Sequence, residues 1–166
     1  MLSSLARWAR PILLTTASLL TLGASLIVFD LPDMGWAVYA IGHVAGLLAF
    51  PAAAQVHRAR MDQLSWWALG VLLIALVLVL PAAFLNVVPI LAGIVAWVAL
   101  GLFGLATWRV HAIATPASVL FVLAALLGLT TELGWFSVLG WAGAVILAAF
   151  GLVWIASGIE QDTPRA

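Results

Sequence analysis

The chain contains no cysteine and no lysine. The first absence excludes disulfides, thiolate nucleophiles and thiolate metal ligands. The second removes Schiff-base chemistry and the lysine of a phosphate-binding loop. Charge of either sign is scarce: 7% of the 166 residues are charged, and six acids balance six arginines. A soluble domain carries about 25% charged residues. Zero net charge offers no field to draw nucleic acid or an acidic partner, so no nucleic-acid partner is expected. No Asp, Glu, Lys or Arg falls in the interior of any long apolar run. Ion pumps and proton-coupled carriers ordinarily keep such a group in the membrane. The sequence also has no H-E-x-x-H helix and no G-x-S-x-G turn, so intramembrane proteolysis lacks its parts. No catalytic residue, metal site or cofactor is nominated, and a non-enzymatic protein is expected.

What the chain has is apolar surface, 66% of its residues. No soluble fold of this size could hide so much, so the lipid bilayer is the expected solvent. A crossing helix needs about 20 apolar residues. Six runs qualify: 12–29, 35–56, 64–85, 87–108, 116–131 and 134–158. The charge-free block from Leu64 to Trp108 divides where Pro81, Asn86 and Pro89 interrupt it. Arginine placement supports six. Arg7, Arg10, Arg58, Arg60, Arg109 and Arg165 then share one side, which the positive-inside rule makes cytoplasmic. Asp30, Asp33 and Glu132 fall on the other. Tryptophan, which favours the membrane boundary, agrees: Trp8, Trp66, Trp67, Trp108 and Trp154 lie near the inner boundary, and Trp36 and Trp135 near the outer one. Trp141 is deeper and Trp97 is near mid-membrane. The first run follows basic residues as a secretory signal would. At 18 residues, with no convincing small-residue cleavage site after it, it is read as a retained span. The expectation is an all-α six-helix bundle, one polytopic domain with both termini cytoplasmic. Arg without Lys, with abundant Ala, Leu and Gly, points to a bacterial inner membrane.

The spans pair into three hairpins whose first helices begin near residues 12, 64 and 116, a period of roughly fifty residues that suggests an internal repeat. "DMGW" (Asp33–Trp36) and "ELGW" (Glu132–Trp135) occupy the outer turns of hairpins one and three. There the acid would end a crossing in water, Gly would permit a tight turn and Trp would anchor the next helix. With first helices running to "LIVFDLP" and "LVLVLP", and second helices such as "GIVAWVALGLFGLATWR" and "GWAGAVILAAFGLVWIASGIE", the chain resembles the HdeD family of short-repeat bacterial membrane proteins linked to acid resistance. The third hairpin departs from that pattern, reading "LLGLTTELGW" where a Pro-containing turn would stand. The resemblance implies a non-enzymatic, stress-associated membrane protein and transfers no functional residue.

His43 is the main candidate for chemistry, about two turns into the second span, with Tyr39 one turn earlier on the same face. A buried imidazole can ligate haem or relay a proton, but no second histidine lies at matching depth for a bis-His haem. The bland alternative is a hydrogen bond to a neighbouring helix. Ser18, Thr21 and Ser25 share one face of the first span and offer hydroxyls for such a bond, worth about 0.6 kcal/mol. Alternatively they line a small polar cavity with Tyr39 and His43. His57 and His111, near Arg58, Arg60 and Arg109, read as topology determinants or lipid-headgroup contacts. Gly42 and Gly46 form one small-residue face, continued by Ala49 and Ala53. Gly93, Gly101 and Gly104 form a second, with Trp97 between them, and Gly140 and Ala144 a third; such faces let helices approach closely. Pro51 should kink the second span. Asp33 and Glu132 would act as acid sensors if they met at the outer surface. Three functional expectations follow: a structural or stress-associated membrane protein, a binding or transport protein for an uncharged or apolar small molecule, or an accessory subunit of a larger complex. Partners beyond lipid would be a second copy or that complex.

Overall fold

The computed structural model describes residues 7–84, 90–134 and 138–161. These residues form six α-helices: α1 (Ala9–Val28), α2 (Pro32–Val56), α3 (Gln63–Phe84), α4 (Ile90–Arg109), α5 (Thr115–Glu132) and α6 (Val138–Gln161). There is no strand among them. Each helix is long and apolar enough to cross a membrane. Helices follow from the solvent, because a helix satisfies its backbone groups within the segment where lipid offers no partner. The six-span, all-α bundle read from sequence is the architecture observed. The turn expected at Asn86–Pro89, the outer Trp135 and Arg165 lie outside the described residues.

Local chemistry sets the helix ends. Proline stands in the first turn of α2 and α5, where its missing N–H is no loss. Asp62 caps α3: its Oδ1 accepts from the Ser65 backbone N–H at 2.9 Å and from the Ser65 hydroxyl at 2.7 Å. α1 and α4 end on residues in the left-handed region, Asp30 (φ 65°) and His111 (φ 50°). The following N–H groups turn back, Leu31 to the Leu26 carbonyl and Ala112 to that of Thr107, both at 2.9 Å. Gly134 (φ 81°) turns the chain after α5. Gly35 does otherwise. It lies inside α2, which starts three residues earlier at Pro32, and it is buried against α1. The glycines of the two acid-Gly-Trp motifs therefore differ: Gly35 belongs to a helix face, Gly134 to a turn.

The helices form a closed ring in chain order, each packed on its neighbours and α6 on α1. Short connections alternate their direction. One end of the ring carries Arg7, Arg10, Arg58, Arg60 and Arg109; Asp30, Asp33 and Glu132 stand at the other. Glycine allows the closest approaches. A Cβ on Gly23 would fall 2.7 Å from the Tyr39 backbone nitrogen, and one on Gly42 3.1 Å from that of Leu20. Between α4 and α5, Gly104 lies against the Ser118 carbonyl and Gly101 against Ala125. Gly46 is looser, since a Cβ there would meet nothing nearer than 3.9 Å. In the half of the ring nearer the arginines, Phe50, Phe103 and Phe121 close the centre with ring centroids 5.6–6.0 Å apart.

Candidate functional site

Six helices around one axis leave more space than their backbones fill, and near the Glu132 end side chains do not close it completely. A cavity of about 80 Å³ remains, lined from all six helices. Its polar part comprises Tyr39 and His43 of α2, Trp97 of α4, Glu132 of α5 and Trp141 of α6. Its apolar part runs along Leu72 and Leu76 of α3 and Val145 and Leu152 of α6. A water centre needs about 10–15 Å³, and an engineered cavity of about 150 Å³ holds benzene. This one, at about half that volume, is sized for a few waters or for an organic body of roughly three to five heavy atoms.

The aromatic wall is continuous. Tyr39 stacks edge-on to His43 (centroids 4.2 Å) and to Trp141 (4.9 Å), and Trp36 backs both Tyr39 (5.6 Å) and Trp141 (5.3 Å). His43 Nδ1 lies 3.2 Å from the Tyr39 carbonyl one turn back. A carbonyl only accepts, so Nδ1 carries the proton of the neutral ring and Nε2 presents a lone pair. The ring is thus held by its own helix and not by a hydroxyl of α1.

Across the cavity, Glu132 is the last residue of α5 and is partly buried. Its side chain turns back into the bundle and lies over Gly93, where a Cβ would fall 2.6 Å from the Glu132 Cδ. The Trp97 indole lines the cavity beside the carboxylate. Trp97 itself rests on Gly128 of α5, where a Cβ would fall 2.7 Å from its Cγ. Gly93 and Gly128 thus make room for the two side chains that define this side of the cavity.

The other candidates sit elsewhere. Ser18 is exposed on the outside of α1, Thr21 is partly buried, and the Ser25 hydroxyl donates to the Thr21 carbonyl at 2.8 Å. α1 reaches the cavity through Leu20 instead. Asp33 is exposed at the start of α2, while Glu132 faces the interior. Among the described residues no three His, Asp or Glu side chains converge as a metal-binding set.

Three participants escaped the sequence reading. Trp97 and Trp141 were the two tryptophans displaced from the membrane boundaries, and that displacement was the available signal. Asp62, at the arginine end, binds Arg109 of α4 as well as Ser65. These contacts hold its carboxyl below the usual range, the Ser65 hydrogen bonds most strongly and Arg109 after them. Compared with protein-family models, curated proteins and solved structures, the chain matches none.

Proposed function

We propose that this chain is a multi-pass membrane protein that binds or transports a small organic molecule within its helix ring. The observation that supports this reading is the cavity beside Tyr39 and His43. A bundle serving only as structure would be expected to pack its centre solid, as protein interiors do. Here the walls are mostly apolar, with a few convergent polar groups, as in small-molecule sites generally. No residue is assigned to covalent chemistry. The stress association implied by the HdeD resemblance is compatible with such a site and adds no residue to it.

Isobutanol, a five-heavy-atom probe, tests the reading with purified protein in phosphatidylcholine nanodiscs. Titration calorimetry should detect saturable binding at millimolar concentration. Ala148→Leu, which adds volume to the α6 wall, should weaken it at least tenfold without unfolding the bundle. Binding unaffected by that substitution would place the ligand elsewhere and overturn the reading.

A further inference from the structure

Glu132 carries the inference further. Its carboxylate faces a cavity whose other walls are aliphatic and aromatic. Every arginine among the described residues stands at the opposite end of the ring, on the start of α1, the turn after α2 or the end of α4. Among the described residues, the one basic side chain lining the cavity is the His43 imidazole, whose Nε2 is a lone pair in the neutral ring. A carboxyl group drawn from water into such a place stays ionised only with compensation by hydrogen bonds or an opposite charge. The Trp97 indole, with its single N–H, can supply one bond at most. Meanwhile Tyr39, Trp97 and Trp141 border the same space. Aromatic faces attract a cation, more strongly where water is excluded. A negative group, three aromatic rings and an aliphatic recess together describe a cation with an apolar body.

We propose that the cavity selects a small organic monocation, a protonated or quaternary amine. Glu132 pairs with its ammonium group, the Tyr39, Trp97 and Trp141 rings surround that charge, and the alkyl part points along Leu72, Leu76 and Val145. This rests on the binding reading above and narrows its ligand class. Gly93 and Gly128 are positioning residues, since they create the room in which Glu132 and Trp97 stand.

Isobutylammonium and isobutanol have the same shape and differ in charge, so their affinity ratio isolates the electrostatic contribution. In phosphatidylcholine nanodiscs at pH 7, isobutylammonium should bind the wild-type chain at least tenfold more tightly. Glu132→Gln should bring the ratio near one while isobutanol affinity stays within about twofold, which also shows that the variant is folded. Tyr39→Leu should lower isobutylammonium affinity more than isobutanol affinity. Equal wild-type affinities, or a preference that survives in Glu132→Gln, would overturn the cation assignment and leave the cavity standing. Absence of saturable binding of both probes, or binding of both that Ala148→Leu leaves untouched, would overturn the cavity reading itself.

Discussion

Glu132 ends its helix where it could extend into water, yet it folds inward, and the residue opposite explains why. Gly93 has no side chain, and the carboxylate occupies the volume a methyl group would take. Gly93→Ala should therefore displace Glu132 at little cost to the bundle, since the obstructed atoms end a flexible side chain. We expect the preference for isobutylammonium over isobutanol to fall toward one, with the unfolding midpoint in detergent nearly unchanged. Asp62 illustrates a carboxylate with different surroundings, partly exposed at the arginine end and held by Ser65 and Arg109. Its folded pKa lies below the unfolded value of about 3.9. The stabilisation is thus present above that value and lost as pH falls through the lower folded one. The difference in unfolding midpoint between wild type and Asp62→Ala should be steady near neutrality and shrink below about pH 4. A difference that grows on acidification would contradict this account. The inward turn of Glu132 was not legible in sequence, because it depends on a glycine some forty positions earlier on another helix. The proximity of Tyr39 and His43 was legible, because a single turn of helix relates them.

Between elements, packing in lipid gains nothing from expelling water and depends on close contact. The α1–α2 pair shows how unequal its glycines are. At Gly23 a methyl group would meet the backbone of Tyr39, which cannot move aside. Gly23→Ala should separate the two helices, costing about 1–3 kcal/mol and disturbing the Tyr39 ring in the cavity. At Gly46 there is ordinary contact room, so Gly46→Ala should be neutral or stabilise by about 0.5–1 kcal/mol. Reversible unfolding in mixed micelles would rank the two, and the opposite order would refute the argument. Sequence spacing placed Gly42 and Gly46 together. It could not say which of the two meets backbone, because that depends on the crossing point of two helices. The same limit applies to Ser18, Thr21 and Ser25, whose common face turns away from the cavity by the rotation α1 adopts in the ring.

For the whole molecule, closure of α6 on α1 makes the cavity a shared property of all six helices. The orientation expected in the membrane follows from the arginines, all of which stand at one end among the described residues. The absence of native cysteine makes this simple to test. Ala59→Cys, exposed beside Arg58 and Arg60, should react with a membrane-impermeant maleimide only after cells are opened. Asp33→Cys, exposed at the start of α2, should react in intact cells. The reverse pattern would invert the protein and place the Glu132 end of the cavity toward the cytoplasm.

Composition by itself determined that this chain lives in lipid, for its apolar share leaves no aqueous alternative. Run lengths, with the arginines as a check, determined six helices, because bilayer thickness sets the length of a crossing. The tertiary structure alone decided where those helices leave space and which charge enters it. That outcome depends on rotations and crossing points set by glycine contacts between distant positions. A one-dimensional pattern of apolar residues carries no record of these in helices that are apolar on every side.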